Sequence, residues 1–294
     1  MCDSFDEGYG SDGRRSPIDQ EKKQIQNDSQ MFKEKYRIDK LLSNSANGII
    51  YTGVRKSDGA RCVAKQVPRG KIGAYVEHDG RKIPLEFHLH LVATANGIPG
   101  MVEAWECYER QTSWVIVMEK PKHSTDLFEV LAEMGKLQEQ AASIILAQVI
   151  ETSIKLEEAG IFHRDIKDEN ILLDVTTLKT KLIDFGCGDF HRSHQTYDKF
   201  SGTIQFAPPE VHLGPYKASP VTVWSIGALA YTMLVGDVPY ETRDEVVTGQ
   251  CKNHKWRDGL SVEAVDFISA CMRSNPAQRP KLSALAGHAL IEQL

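Results

Sequence analysis

Hydrophobic and polar positions follow two different periods along the chain, and the change of period divides it into two parts. Up to about residue 119, short runs rich in β-branched and aromatic residues predict strands. Asp58-Gly59 indicates a hairpin turn, because this pair readily adopts positive φ. Pro84 opens PLEFHLHLVATA, which predicts a helix. This part therefore predicts a small antiparallel β-lobe with one main helix, and its strands are YRIDKLL, GIIYTGVRK, RCVAKQV, MVEAWECYER and SWVIVMEK.

Helical spacing dominates after residue 120. Apolar residues recur every three to four positions in DLFEVLAEM and in the long run that ends at Gly160, where glycine is a typical helix C-cap. Residues 220–235 and 261–272 predict further helices. The most apolar stretch, from Ile226, is shorter than the roughly 20 residues of a membrane span, and it indicates a buried core helix. The whole pattern predicts an α+β fold of two lobes joined near residues 119–122.

Composition narrows the class of protein further. With 294 residues and 41% hydrophobic content, the chain can form one domain in two lobes. Its net charge of -5 argues against nucleic acid or a membrane surface as the main partner. The six cysteines are scattered without a CxxC pair, and the sequence shows no signal-peptide pattern. These features predict free thiols and a cytoplasmic location, with access to the nucleus as a further possibility. Residues 1–30, with few large apolar side chains, predict a disordered tail.

The densest chemical signal is HRDIKDEN, from His163 to Asn170, followed fourteen residues later by Asp184 of a DFG triplet. Together with an upstream lysine and a downstream PPE, this spacing matches the catalytic and metal motifs of protein kinases. Asp184 would supply a hard oxygen ligand for Mg²⁺, and Asn170 a neutral oxygen for a second ion. Asp165 would orient the substrate hydroxyl and accept its proton. Lys167 would neutralise charge on the transferring phosphate.

Lys65 is the upstream lysine that would hold the α- and β-phosphates of ATP. It needs a carboxylate to hold it in turn, and Glu86 in the predicted helix is the candidate, 21 residues on. Alone, Glu86 would be an ordinary surface glutamate of a helix. The complete set of charged residues favours the catalytic role.

The loop LSNSANG departs from the GxGxxGxV pattern that such enzymes use to cradle phosphates. Ser43 and Ser45 stand at the first two glycine positions, Gly48 at the third, and Ile50 replaces the valine that covers adenine. Two strained serines would cost about 2–4 kcal/mol, whereas extended serines would cost almost nothing. Three hypotheses stay open at this point: an active enzyme of full or reduced rate, a pseudokinase that acts as a binding or allosteric partner, and a structural protein that binds no nucleotide.

From about residue 36 to residue 290 the chain resembles the eukaryotic protein kinases, and in detail the Pim serine/threonine kinases. HRDIKDENIL and KLIDFG resemble their catalytic segment. MEKP, ending at Pro121, resembles their hinge, where proline removes one N–H that most kinases offer adenine. Thr222 stands where most kinases, but not this family, carry an aspartate. The resemblance implies a bilobal fold with an N-lobe at 36–119, a hinge at 119–122 and a C-lobe at 123–290. It also implies a monomer that uses ATP and Mg²⁺.

The resemblance also implies which residues contact the ligands. Lys167 and Thr203 resemble the serine/threonine branch of the protein kinases. Within that branch, the Pim family favours protein substrates with arginines before the target residue. Carboxylates in the peptide groove would pair with those arginines, unless they only decorate the surface of an acidic protein. These carboxylates are Asp126, Asp168, Glu169 and Asp237. The implied ATP contacts are Leu42, Ser43, Asn44, Ser45, Ala46, Asn47, Gly48, Ile50, Ala64, Lys65, Met118, Glu119, Pro121 and Asp126.

Two further expectations concern the segment after the DFG triplet. Phosphorylation there could order the segment through Arg164, although the resemblance implies activity without such a switch. Glu210 and Arg279 match a structural ion pair of the family. The candidate phosphorylation sites are Ser193, Thr196, Tyr197 and Ser201.

Overall fold

The computed structural model describes residues 17–45, 48–251 and 253–292. Its first lobe is built on a five-stranded antiparallel sheet in the order β1-β2-β3-β7-β6, with a separate β4–β5 hairpin. The predicted strands and their antiparallel pairing are confirmed. The strands are β1 (Tyr36–Ser45), β2 (Gly48–Arg55), β3 (Arg61–Pro68), β4 (Tyr75–His78), β5 (Arg81–Pro84), β6 (Ala104–Glu109) and β7 (Ser113–Glu119).

A helix, α1 (Pro17–Lys35), precedes the sheet, and the predicted disorder is therefore wrong for residues 17–30. The polar composition hides a helical stripe, because Asp28 and Phe32 are four residues apart and both are buried. Packing against the sheet supplies the stabilisation that composition alone did not indicate. The first 16 residues of the predicted tail lie outside the described part of the chain.

The sheet has an apolar layer on each face, because successive residues of a strand point to opposite sides. On β7, Trp114 and Ile116 pack with Phe87 of α2 (Leu85–Ala95), the helix that was predicted from PLEFHLHLVATA. Val115 and Val117 point the other way and pack with the end of α1. The sheet therefore lies between two helices rather than one.

The β4–β5 hairpin was not predicted. Its turn is Asp79-Gly80, whose φ values of 48° and 73° are those of a tight hairpin turn. The Asp-Gly signal was present in the sequence, but the flanking strands are only four residues long. β5 ends at Pro84 and α2 begins at Leu85, so the hairpin continues directly into the helix.

The second lobe is mainly helical, and the bilobal α+β architecture is confirmed. Its strands form one small sheet in the order β11-β10-β8 and a β9–β12 pair. The strands are β8 (Ser124–Asp126), β9 (Ile161–Phe162), β10 (Ile171–Asp174), β11 (Lys179–Leu182) and β12 (Asp189–Phe190). The helices are α3 (Leu127–Met134), α4 (Glu139–Glu158), α5 (Glu210–Leu213), α6 (Ala218–Val235), α7 (Arg243–Thr248), α8 (Val262–Cys271) and α9 (Ala289–Glu292).

α6 forms the centre of this lobe. By length and composition it is the one helix in the described residues that could cross a membrane, but 78% of it is buried inside the protein. This confirms the prediction of a core helix. Arg279 pairs with Glu210 at 2.5 Å and lies 4.8 Å from the ring of Trp224 on α6, which confirms that expected ion pair. Gly160, with φ of 73°, follows the end of α4 as predicted.

Candidate active site

Three charged side chains meet between the lobes. β3 places Lys65 so that its Nζ lies 2.5 Å from Glu86 Oε1 on α2 and 2.8 Å from Asp184 Oδ1 in the second lobe. Lys65 is only 4% exposed. Burial alone would lower its pKa, but the two carboxylates outweigh burial and hold the pKa above its ordinary value. Lys65 is therefore an ammonium ion that joins the N-lobe, α2 and the metal motif.

Asp184 is held in an unusual backbone conformation, with φ of 69°. Its Oδ1 also accepts a hydrogen bond from Gly186 N at 2.8 Å. Burial raises the pKa of Asp184, but the charge and hydrogen bond of Lys65 outweigh this and lower it below the ordinary value. The side chain is thus a carboxylate, as a metal ligand must be.

Asp165 is fixed by hydrogen bonds to both of its oxygens. Oδ1 accepts from Thr203 N at 2.8 Å, and Oδ2 accepts from the Asn170 side chain at 3.0 Å. Lys167 Nζ lies 3.6 Å from Asp165 Oδ2 and donates to Thr203 Oγ1 at 2.9 Å. A substrate hydroxyl placed here would meet an oriented base beside a cation. The structure therefore brings together all four predicted catalytic residues and both predicted metal ligands.

The donor set fits magnesium. Asn170 Nδ2 donates to the backbone oxygen and to the carboxylate of Asp165, which leaves the amide oxygen as the available ligand. Asp184 adds a carboxylate oxygen, and oxygen donors of this kind suit Mg²⁺. Within residues 17–45, 48–251 and 253–292, no cluster of three or more His, Cys, Asp or Glu could hold a metal by itself. Such a sparse protein donor set is typical of magnesium sites that share the ion with substrate phosphates.

The serine-substituted loop is a hairpin between β1 and β2. Ser43 pairs with Ile50, Asn44 with Ile49, and Ser45 with Gly48, so the serines lie in extended strand. Gly48 has φ of 132°, and a Cβ there would lie 2.7 Å from the backbone oxygen of Gln66. Gly48 is thus the glycine that the loop retains, because at this position β3 lies too close to leave room for a side chain. The predicted nucleotide contacts Ala46 and Asn47 lie outside the described residues.

Comparison with known proteins decides the family. A model of the protein kinase domain matches residues 36–291. The chain is 35% identical over 271 residues to the serine/threonine-protein kinase pim-2 of Danio rerio, which covers 89% of this chain and 86% of that protein. The chain belongs to the protein kinase family. The resemblance to Pim serine/threonine kinases is thereby confirmed.

Other relatives agree on the class of kinase. The chain is 31% identical over 264 residues to the serine/threonine-protein kinase prk-2 of Caenorhabditis elegans, across 89% of this chain and 59% of that protein. It is also 31% identical over 261 residues to the PAS domain-containing serine/threonine-protein kinase of Mus musculus, across 85% of this chain and 18% of that protein. This kinase therefore spans only part of some of its relatives. ATP and Mg²⁺ use is implied by the family.

Two predicted nucleotide contacts, Ile50 and Ala64, lie on opposite faces of the N-lobe sheet. Ile50 pairs with Lys65 across the sheet and shares its face, as predicted for a cover over adenine. Ala64 is adjacent to Lys65 and points to the opposite face, where it packs in the cluster under α1. The prediction that Ala64 contacts the nucleotide is wrong because strand residues alternate between faces. Val63, two residues before Lys65, shares its face and pairs with Met118.

The hinge is held by an ion pair between the lobes. Glu119 accepts hydrogen bonds from Lys181 of β11 and from Glu103 N, the latter at 3.0 Å. Lys120 N is already bonded to Arg61 O at 3.1 Å. Pro121 follows and has no N–H to offer. The hinge thus presents few main-chain donors, and Lys181 is a residue that sequence reasoning missed.

The predicted nucleotide contacts at the front of the cleft are Leu42, Met118 and Asp126. Leu42 lies at a register shift of β1 and is 49% exposed. Met118 belongs to the apolar cluster beside α2. Asp126 caps α3 by accepting a hydrogen bond from Glu129 N at 2.8 Å. The nucleotide contacts of these three residues stay predictions.

The four acids of the predicted peptide groove differ in environment. Asp168 is buried, and burial raises its pKa. Burial also raises the pKa of Asp126, and the charge of Glu169 adds to the increase. Glu169 contacts Lys167 at 2.5 Å. Asp237 is exposed just beyond the end of α6 and caps the next N–H. The structure thus brings three of the acids together beside the catalytic base, whereas Asp237 follows a different element.

Asp189 forms an ion pair with Arg164, the arginine that a phosphorylated segment would bind. The guanidinium of Arg164 pairs with Asp189 and lies 5.1 Å from the ring of Tyr197. Tyr197 is only 5% exposed and stacks on Tyr216 at 5.6 Å. Asp189 was missed, and its only signal in the sequence is an acid shortly after the DFG triplet. The hydroxyl of Tyr197 donates a hydrogen bond to Phe190 O, so this tyrosine is ordered by contacts within the chain.

A pair of buried histidines encloses Phe185 of the DFG triplet. The ring of Phe185 lies 5.3 Å from that of His90 on α2 and 5.1 Å from that of His163. His90 Nε2 contacts Val102 O at 2.8 Å. Burial lowers the pKa of His90 to about 4, so the ring is neutral near pH 7. These edge-on and tilted ring contacts hold Phe185 and thereby the backbone that carries Asp184.

Proposed function

We propose that this kinase is an active serine/threonine protein kinase that transfers the γ-phosphoryl group of ATP to protein hydroxyl groups. The single observation that carries the proposal is the assembled contact of Lys65 with both Glu86 and Asp184. Lys65 and Asp184 carry charge in a buried setting, and burial raises the pKa of Glu86; such a cluster is costly unless its groups serve each other or a ligand. Asp165 lies beside them with both oxygens oriented.

Each residue then has a distinct task. ATP supplies the phosphoryl group and Mg²⁺ offsets its negative charge, with Asp184 and Asn170 as the residues that would hold the ions. Lys65 binds phosphate oxygens, and Glu86 keeps its ammonium group in place. Asp165 orients the attacking hydroxyl and takes up its proton. Lys167, 2.9 Å from Thr203 Oγ1, holds the segment of this chain that carries Thr203 beside the base and adds positive charge.

The alternative of a pseudokinase has less support. It rests on Ser43 and Ser45 at the expected glycine positions. Their backbone is extended strand, so the strain of about 1–2 kcal/mol per residue that positive φ would impose does not apply. No residue of the charged set is replaced. An active enzyme is therefore the better account of the site.

We also propose that substrates carry arginine before the target serine or threonine. Asp168 is a buried carboxylate and Asp126 a half-buried one, burial raises the pKa of both, and each accepts a hydrogen bond from a backbone N–H group. A guanidinium group would add positive charge beside these carboxylates and can bind a carboxylate through two hydrogen bonds. The three-residue cluster with Glu169 gives such an arginine several partners near Asp165.

The test is transfer of phosphate from Mg-ATP to a serine peptide with upstream arginines. Lys65→Met and Asp184→Asn are expected to lower kcat by about two to three orders of magnitude, as when a charge-stabilising group is removed from other enzymes. Absence of turnover in the unmodified chain, with ATP still bound, would instead favour the pseudokinase. Loss in the variants must occur in folded protein, which circular dichroism would check.

Substrate preference needs its own variant. Asp126→Asn removes the charge but keeps a good helix cap, since asparagine caps as well as aspartate. Its KM for the arginine peptide should rise about tenfold, equivalent to about 1.4 kcal/mol, while its KM for ATP changes less. Glu133→Gln, an exposed acid on the same helix, is the matched control. Equal KM for arginine and alanine peptides in the unmodified kinase would refute the preference.

A further inference from the structure

A buried carboxylate lies far from the catalytic residues, on the helix that precedes the kinase domain. Asp28 of α1 is 3% exposed, and α1 lies outside the residues that match the family. Its Oδ1 accepts a hydrogen bond from Gln24 at 2.8 Å, and its Oδ2 accepts one from Glu109 N at 2.5 Å. A buried carboxylate is tolerated only with such partners and a countercharge.

Arg81 of β5 supplies the countercharge. Its guanidinium group forms an ion pair with Asp28 Oδ2 and lies 3.6 Å from Glu109 Oε2. Arg69 binds the other oxygen of Glu109 at 2.5 Å. The resulting network connects α1, the β4–β5 hairpin and the end of β6. Contacts of this kind fix the position of the hairpin relative to the sheet.

Two routes lead from Arg81 to α2. The first is covalent, because β5 ends at Pro84 and α2 begins with the next residue, which places Arg81 five positions before Glu86. The second is packing, because Arg81 lies 5.0 Å from the ring of Trp114, and that ring contacts Phe87 edge-on at 6.4 Å. Trp114 and Phe87 are almost completely buried, so neither can shift without disturbing the other.

We propose that Asp28 is a positioning residue for catalysis: through Arg81 it fixes the first turn of α2 and so keeps Glu86 on Lys65. The proposal rests on the proposed kinase activity, and it adds a part of the chain that the family domain does not contain. Without the Asp28–Arg81 pair, the hairpin loses its ionic connection to α1 and keeps only the longer contact of Arg81 with Glu109 of β6. α2 can then turn away from the sheet, and Lys65 loses one of its two carboxylates.

The rest of α1 has a different role. Phe32 packs on the outer face of the sheet, with its ring 5.4 Å from that of Tyr108. That contact covers an apolar surface and stabilises the lobe as a whole. Asp28 instead faces the hairpin that continues into α2. Loss of its charge should therefore affect α2 more than the sheet.

The experiment compares Asp28→Asn, Arg81→Gln and the double variant in the full chain. Glu34→Gln is the matched control, since Glu34 is an exposed acid on the same helix that accepts a hydrogen bond from Gln30. Hydrogen–deuterium exchange of residues 85–95 and 218–235 is measured together with kcat and KM for ATP. Each single variant should show at least about fivefold faster exchange in α2, unchanged exchange in α6, and about tenfold lower kcat. The double variant should be no worse than either single one, because no buried charge is left unpaired.

Two results would overturn the proposal. One is a folded Asp28→Asn protein with normal exchange in α2 and normal kcat. The other is equally faster exchange in both lobes, which would show a general loss of stability rather than a shift of α2. The exchange measurement does not depend on turnover. If the unmodified chain proved inactive, the proposed function would fail while the effect of Asp28 on α2 would still be decided.

Discussion

Replacing Gly48 by alanine tests why only one glycine remains in the phosphate loop. Gly48 has φ of 132°, and an added Cβ would lie 2.7 Å from Gln66 O and 3.5 Å from a methyl carbon of Val67. The closest atom is backbone of the central strand β3, next to Lys65. It cannot move away as the end of a flexible side chain would.

The expected cost has two parts. A non-glycine residue in this region of φ costs about 1–3 kcal/mol, and overpacking adds about 1–3 kcal/mol. Gly59→Ala is the matched control, because Gly59 also has positive φ, 71°, but a Cβ there would meet no atom within 4 Å. The control should lose only about 1–2 kcal/mol. The difference between the two variants isolates the contact with Gln66.

The assay is urea unfolding combined with KM for ATP. Gly48→Ala should lose about 2 kcal/mol or more of unfolding free energy, or relieve the clash by moving the loop and raise KM for ATP at least about tenfold. Gly59→Ala should keep the KM of the unmodified protein. If the two alanine variants behave alike in both measurements, the close approach of β2 and β3 at Gly48 is not what retains the glycine.

Ser43→Gly tests the opposite expectation at the neighbouring position. Ser43 is extended and paired with Ile50, so glycine relieves no strain and should cost about 0.5–1 kcal/mol of stability through chain entropy. Activity should stay within about threefold of the unmodified protein, since a change below 0.7 kcal/mol corresponds to less than that factor. A tenfold gain in kcat/KM would mean that serine strains the working loop.

Two further predictions concern His90 and Asp189. The pKa of the buried His90 is lowered to about 4, whereas a histidine in the unfolded chain has a pKa near 6.5. The unfolded chain therefore binds a proton that the folded protein does not, and the free energy of unfolding should fall as the pH is lowered from 6.5 to 4. Between pH 7.5 and pH 5 it should fall by about 2 kcal/mol more in the unmodified protein than in His90→Gln. Parallel pH dependence of urea unfolding in the two proteins would contradict this. Asp189→Asn removes the partner of Arg164 and should lower kcat about tenfold. Mass spectrometry should show that phosphorylation of the chain is the same in the variant and the unmodified protein. Unchanged kcat would show that Arg164 needs no carboxylate.

Much of the site could be predicted because its chemistry depends on residue types at short spacing. Asp165, Lys167 and Asn170 lie within six positions of the chain, and local backbone geometry suffices to bring them together. Lys65 and Glu86 were identified because the expected partner of a buried ammonium ion is a carboxylate on the packing helix. Such arguments need only the types of element and their order along the chain.

The residues that were missed or misplaced depend on tertiary contacts or on the phase of a strand. Ala64 was placed on the wrong face because the resemblance fixed the lysine but not the alternation of its neighbours. α1 has few apolar residues, and Asp28, a polar residue, is buried only because Arg81 and Glu109 N happen to face it. Composition cannot reveal a buried ion pair whose partner lies 53 positions away.

The charges of the assembled site also explain why a nucleotide would have to arrive with cations. Four acidic side chains contact the two lysines Lys65 and Lys167, so the acidic groups of the site outnumber its ammonium groups by two; the acids are Glu86, Asp165, Glu169 and Asp184. A triphosphate would add several more negative charges in a setting where burial already disfavours ions. Divalent cations held by the oxygen ligands Asp184 and Asn170 would offset most of the charge of the triphosphate, and Lys65 would add positive charge beside them. Affinity for the nucleotide should therefore depend on the metal much more than on the serines of the loop, whose backbone is already extended.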